Sequence, residues 1–108
     1  FAYYKLGQSI GVEENNNGLI PAEYSLGQNY PNPFNPATKI SYALPEGGRV
    51  KLNIYDSLGR LVTTLVDEER AAGRYEVMFN ASNLSSGIYF YEVVTKNFRS
   101  AKKMCLLK

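Results

Sequence analysis

Apolar residues alternate with polar ones, with a period of two, from residue 38 to the end of the chain. In residues 38–44, for example, Ile40, Tyr42 and Leu44 fall on one face and the residues between them fall on the other. This period is that of a β-strand with one buried face. No segment has the 3.6-residue period of an amphipathic helix. The chain is therefore predicted to be all-β.

Short segments with this alternation are separated by turn-forming residues. The predicted strands are residues 38–44, 50–55, 61–66, 75–79, 88–95 and 98–107, with residues 24–30 as a seventh. Residues 67–70 are charged and follow the strand predicted at 61–66, and residues 71–73 are predicted to bring the chain back. Turns that recur roughly every 8–12 residues favour a β-sandwich of about seven short antiparallel strands. A small open barrel is the structural alternative.

The composition excludes several kinds of catalytic site. The 108 residues include no His, which rules out Ser-His-Asp triads and Cys-His dyads. The single Cys, Cys105, is predicted to be partly buried, and it permits no internal disulfide and no cysteine-rich zinc site. Twelve basic and ten acidic residues are intermixed, so no concentrated basic face is available for nucleic acid. We expect a non-enzyme without cofactor, metal or nucleic-acid partner.

The first 18 residues differ from the rest. Residues 1–6, from Phe1 to Leu6, are aromatic and strand-like, whereas residues 11–18 have the composition of a linker. We therefore expect residues 1–18 to be the end of an upstream region plus a linker, and residues 19–108 to form the sandwich. Because the chain starts at Phe1 without a Met or a secretory signal, we expect a processed product or the tail of a longer protein.

Three groups of residues carry turn and strand predictions. Asp56 and Gly59 hold the first and fourth positions expected of a type I turn. Glycines at 59, 73 and 87 are predicted to have positive φ or to allow close approach of strands. In residues 88–91, the two tyrosines are predicted to lie on one face and the other two residues on the opposite face, one face in the core and one half-exposed. A carbohydrate-binding surface is the alternative for these aromatic residues.

A proline-rich run precedes the first long strand. It consists of Tyr30, Pro31, Asn32, Pro33, Phe34, Asn35 and Pro36. Since proline has no N–H to donate, the run belongs at a sheet edge or a crossover, where it would stiffen the chain and block edge pairing. We favour this structural explanation over a role as a peptide ligand.

The proline run resembles the opening signature of the type A C-terminal sorting domain of the type IX secretion system. Four later segments resemble further motifs of that family in the same order: residues 54–60, 72–75, 84–91 and 102–108. The motif residues outside the proline run are Asp56, Gly59, Arg60, Gly73, Tyr75, Gly87, Ile88 and Tyr89. The resemblance covers roughly residues 19–108.

This resemblance implies an immunoglobulin-like β-sandwich behind a passenger protein that crosses the inner membrane by the general secretory route. It implies that the outer-membrane translocon recognises the domain in the periplasm and exports the passenger to the cell surface or the medium. A surface peptidase of the system often removes such a domain. A similar fold in flagellar hook-capping proteins serves a structural role, but the complete C-terminal signal favours sorting.

The candidate residues for recognition by the translocon lie at the C-terminal end. They are Lys102, Lys103, Met104, Leu106 and Lys108. Lysines alone are explained by an edge strand that must stay soluble. The functional hypothesis is that a partner adds a strand to the exposed edge and recognises the lysines.

An extracellular structural subunit is the alternative function. The aromatic residues 1–6 would then complete the sheet of a neighbouring copy, as in donor-strand assemblies. A head-to-tail contact of this kind that does not close produces a filament. Self-association is therefore expected under this alternative.

Overall fold

The computed structural model describes residues 20–108, which form seven strands in two antiparallel sheets. The strands are β1 (Ser25–Leu26), β2 (Ala37–Leu44), β3 (Gly48–Tyr55), β4 (Leu61–Arg70), β5 (Gly73–Asn80), β6 (Gly87–Val94) and β7 (Arg99–Leu106). The small sheet has the order β1-β2-β5 and the large sheet the order β4-β3-β6-β7. The predicted all-β sandwich is confirmed. The predictions for residues 1–18, including the domain boundary and the donated strand, lie outside the described residues.

The alternation along each strand builds the core between the two sheets. On β3, Val50, Leu52 and Ile54 are all 0% exposed, and the residues between them are more accessible. Burying one aliphatic side chain of this size contributes about 2 kcal/mol. On β6, the same alternation buries Tyr89 and Tyr91 and leaves the intervening face partly open to solvent. The predicted one-sided burial of both strands is confirmed.

Strand β4 is longer than the sequence indicates, since it continues through Arg70 and not to residue 66. The predicted end of this strand at residue 66 is therefore wrong. The charged residues stay in the strand because residues 67–70 continue the backbone ladder with residues 48–51 of β3. Two ion pairs accompany the ladder: Arg49 Nη2 of β3 lies 2.9 Å from Asp67 Oδ1, and Arg70 Nη2 lies 2.9 Å from Glu68 Oε2 within β4. An edge strand accommodates such residues because one side of it faces solvent.

The strand predicted at residues 24–30 is much shorter, with only Ser25–Leu26 in a ladder and an isolated bridge between Tyr30 and Lys39. Between these two points the chain leaves β2, and the Asn29 side chain is drawn inside the protein, where it is 2% exposed. The buried polar contacts of this residue replace the ladder.

Two tyrosines of the sequence motifs form hydrogen bonds that fix the loops immediately before them. Tyr75 Oη donates to the carbonyl of Ala71 at 2.6 Å, and Tyr89 Oη donates to the carbonyl of Ser85 at 2.8 Å. In each case the tyrosine follows a glycine by two residues and reaches a carbonyl four residues upstream, as in the tyrosine corner of immunoglobulin-like domains. The repeated Gly-x-Tyr pattern thus fixes the entry into β5 and into β6.

The turn between β3 and β4 has the predicted type I hydrogen bond, from the N–H of Gly59 to the carbonyl of Asp56 at 3.0 Å. Gly59 has φ +83°, which favours glycine as predicted. The Asp56 carboxylate accepts from the N–H groups of Arg60 at 3.0 Å and of Leu58 at 2.9 Å. These contacts, led by the Arg60 backbone N–H, lower the pKa of Asp56.

Candidate functional site

Strand β7 contains most of the candidate recognition residues and forms one edge of the large sheet. It pairs with β6 without a register shift, from Gly87 opposite Leu106 to Val94 opposite Arg99. The alternation turns Met104 and Leu106 inward, and both are 0% exposed. The C-terminal segment is therefore a fully folded strand of the sandwich.

The structure separates the five candidate recognition residues. Lys103 is exposed on the outer face of the sheet, whereas Lys102 shares the inner side of the strand with Met104 and Leu106 and is partly buried. Lys108 is exposed but tethered: its backbone N–H donates to a serine hydroxyl at 2.9 Å, and its Nζ donates to the carbonyl of residue 82 at 2.6 Å. The three lysines are accessible to a partner to different degrees, and the two apolar residues hold the strand in place.

The proline segment, which we define as residues 28–36, runs alongside the C-terminal half of β7. The N–H of Phe34 donates to the carbonyl of Cys105 at 2.9 Å, and the N–H of Leu107 donates to the carbonyl of Phe34 at 3.0 Å. The N–H of Cys105 donates to Asn32 Oδ1 at 3.0 Å. These bonds occupy the backbone groups through which a further strand would pair. The proline segment thus covers this half of the edge.

The side chains within the proline segment divide into anchors and exposed groups. Phe34 is 2% exposed and packs against Phe79, with ring centroids 6.2 Å apart. Tyr30 is 77% exposed, although its backbone exchanges both hydrogen bonds with Lys39. Pro31, Pro33 and Pro36 are exposed as well, as are Asn32 and Asn35. The segment is therefore fixed by one aromatic anchor and by backbone and amide hydrogen bonds.

A buried polar cluster fixes the start of the proline segment. Asn29 Nδ2 donates to Thr38 Oγ1 at 3.0 Å and to the carbonyl of Pro31 at 3.1 Å. Thr38 is 0% exposed, and its hydroxyl donates to the same carbonyl at 2.8 Å. Each of these groups finds a partner, as buried polar groups must if they are not to destabilise the fold. Sequence reasoning missed this cluster, although Thr38 shares the inward face of Ile40 and was a visible polar exception.

Tyr91 joins the large sheet to the same cluster. Its hydroxyl donates to the carbonyl of Gly27 at 2.7 Å and accepts from the N–H of Asn29 at 2.8 Å. Burial raises the pKa of Tyr91, against the opposing effect of the hydrogen bond from Asn29. Nearby, Gln28 Nε2 donates to the carbonyl of Lys103 at 2.9 Å. The proline segment and the last two strands therefore form one hydrogen-bonded unit.

The remaining chemistry of the described residues is limited. Cys105 is a free, partly buried thiol. Within residues 20–108, no cluster of three or more His, Cys, Asp or Glu side chains is placed to hold a metal ion. The same residues contain no helix with the length and apolar character that crossing a membrane requires.

Comparison with known proteins gives one finding. A family model described as "Secretion system C-terminal sorting domain" matches residues 28–107 of the chain. This range starts at Gln28, where the proline segment first contacts β7, and ends at Leu107, whose N–H makes the last of these contacts. A search of curated protein sequences finds no match.

Proposed function

Because this chain belongs to the secretion system C-terminal sorting domain family, we propose that residues 19–108 direct an exported passenger across the outer membrane through the type IX secretion system. The family is one of sorting signals and not of catalysts. Under this proposal the passenger precedes residue 1, residues 1–18 connect it to the sandwich, and a surface peptidase of the system acts after export. The protein would pass through the periplasm to the cell surface or the medium.

The match over residues 28–107 carries this proposal, and β7 supplies its recognition surface. Lys103 projects from the outer face, and Lys102 and Lys108 place two more cations along the same end of the chain. Met104 and Leu106 act indirectly, since their burial in the core fixes the strand backbone that carries Lys102 and Lys103. A set of like charges at one end of the chain favours an outer-membrane translocon with a complementary acidic surface.

Charge reversal separates recognition from simple protection of the edge. Lys103→Glu keeps a charged side chain on β7, which protects an edge equally well, but it reverses the sign that a partner would recognise. The matched control is Arg74→Glu, an exposed residue of β5 with the same change in charge. Both variants are made in the full 108-residue chain, fused behind a signal peptide and a folded fluorescent passenger in a host with the type IX machinery.

We expect the wild-type chain and Arg74→Glu to deliver the passenger to the surface and Lys103→Glu to leave most of it in the periplasm. Equal delivery by all three would show that Lys103 only protects the strand edge and is not recognised by the translocon. Retention of the wild-type fusion would refute the sorting function itself. Deletion of residues 103–108 is a poorer test, because it also removes Met104 and Leu106 from the core.

A further inference from the structure

The two halves of β7 differ in what covers their outer edge. In an antiparallel strand, the backbone N–H and C=O of one residue both point towards the neighbouring strand, and those of the next residue both point away from it. Both backbone groups of Cys105 bond to the proline segment, away from β6. By the alternation, Arg99, Ala101 and Lys103 also direct theirs away from β6. Gln28 takes the carbonyl of Lys103. From there towards Arg99, β1 lies close to β7 and Tyr24 stacks on Phe98, but no hydrogen bond from another described residue reaches the backbone groups of this edge.

We propose that residues 99–103 bind an extended, acidic segment of a partner protein, which adds to the large sheet as a new strand. This proposal rests on the proposed sorting function and specifies how a partner would bind β7 during recognition. The N–H groups of Ala101 and Lys103 and the carbonyls of Arg99 and Ala101 supply the ladder. The added strand would lie in line with the proline segment, which already occupies the corresponding position beside residues 104–107.

The charges along this edge determine the chemistry of the partner. Arg99, Lys102 and Lys103 place three cations within five residues. Arg99 has one acidic neighbour, Glu92, with its Nε 3.4 Å from Oε2, and no carboxylate among the described residues forms an ion pair with either lysine. An acidic strand would neutralise this excess.

A second copy of the chain is a poor occupant for the same reason. Two β7 strands paired edge to edge would bring the cations of one copy next to those of the other, and like charges opposite one another are destabilising. The edge of β5 is also a poorer site, since Glu76 at an outward position is already paired with Lys39 at 3.5 Å.

A proline at Ala101 tests the ladder directly. The Ala101 N–H faces away from β6, so Ala101→Pro removes a donor that the β6–β7 pairing does not use. Met78→Pro is the matched control, because Met78 is an exposed β5 residue whose N–H likewise faces away from its neighbouring strand β2. Far-ultraviolet circular dichroism and thermal melting of both variants verify that the sandwich is retained.

In the fusion assay described above, we expect export by the wild type and by Met78→Pro, and about a tenfold loss for Ala101→Pro. Equal export of Ala101→Pro and wild type would overturn strand addition while leaving the sorting function intact. Failure of the wild type would instead refute sorting.

Amide hydrogen exchange gives a second measurement that does not depend on any variant. The probe is a short synthetic peptide that alternates Glu with Val, added to the full chain, and the control peptide alternates Lys with Val. At a peptide concentration about ten times its dissociation constant, we expect the Ala101 and Lys103 amides to exchange about tenfold more slowly. Equal or absent protection with both peptides would overturn the proposal. So would protection that rises with protein concentration alone, since it would assign the edge to a second copy.

Discussion

Strands β4 and β7 are the two edges of the same sheet, yet they solve the problem of an open edge in different ways. Strand β4 pairs with β3 through two register shifts, between Leu52 and Asn53 and between Ile54 and Tyr55. Strand β7 pairs with β6 without a shift. Irregular pairing twists an edge away from further strands, whereas a regular edge invites them.

The charges on the two edges follow the same division. On β4, Asp67 and Glu68 are balanced by Arg49 and Arg70 within the sheet. On β7, the cations at residues 102 and 103 lack such balance among the described residues. The irregular pairing and the balanced charges of β4 therefore disfavour the addition of a further strand at this edge. Strand β7 is covered over one half by the proline segment and is cationic over the other, which leaves part of a regular edge available for recognition.

The largest expected effect comes from removing the anchor of the proline segment. Phe34→Ala removes a ring that is 2% exposed, and we expect it to lower the free energy of unfolding by about 3–4 kcal/mol in chemical denaturation. It would also weaken the contact of the proline segment with the C-terminal half of β7, so that both halves of the strand would expose their outward backbone groups. Tyr30→Ala is the control within the same segment: at 77% exposure its cost should stay within about 0.5 kcal/mol. Similar costs for the two variants would contradict the assignment of Phe34 as the anchor.

The next effect concerns the link between β6 and the start of the proline segment. Tyr91→Phe removes one hydroxyl and leaves the carbonyl of Gly27 and the N–H of Asn29 without their partner. We expect a loss of about 2 kcal/mol in the free energy of unfolding. Tyr55→Phe is the comparison, because Tyr55 Oη makes a longer, 3.2 Å bond to Glu92 at the outer face. A smaller loss for Tyr91→Phe than for Tyr55→Phe would show that the cluster does not hold the segment.

The smallest effect is a pH dependence on the β4 side of the sheet. The pKa of Asp56 is lowered in the folded state, so its stabilising contribution is complete above its pKa in the unfolded chain. That contribution is lost as the pH falls through the lower pKa of the folded state, in a window below about pH 4. We expect Asp56→Asn to have a slightly lower Tm at neutral pH and a shallower fall in Tm on acidification. Parallel acid profiles would show that the turn does not depend on the charge of Asp56.

Much of the sandwich was predictable because its strands obey a local rule. The alternation located β2, β3, β6 and β7 and divided the first three of them into two faces, and the Asp56 and Gly59 signals located a turn. It failed at residues 67–70, since their backbone pairing with residues 48–51 of β3 and the ion pair between Arg49 and Asp67 depend on which strand lies next to β4.

The site was less predictable than the fold. Asn32 and Gln28 bond to backbone groups 73 and 75 residues away, and no local pattern indicates such partners. The sequence did identify the proline run and the last strand as separate motifs. Their contact is a property of the folded chain, in which the first motif covers the edge of the last.

Hydrogen exchange along β7 of the full, unliganded chain tests the central claim most directly. The Cys105 and Leu107 amides donate to the proline segment, and the Ala101 and Lys103 amides face outward from the open half of the edge. We predict slow exchange for the first pair and fast exchange for the second, with the Met104 amide slow because it faces β6. If Cys105 exchanged as fast as Ala101, or if all these amides exchanged alike, the division of β7 into a covered and an open half would be wrong.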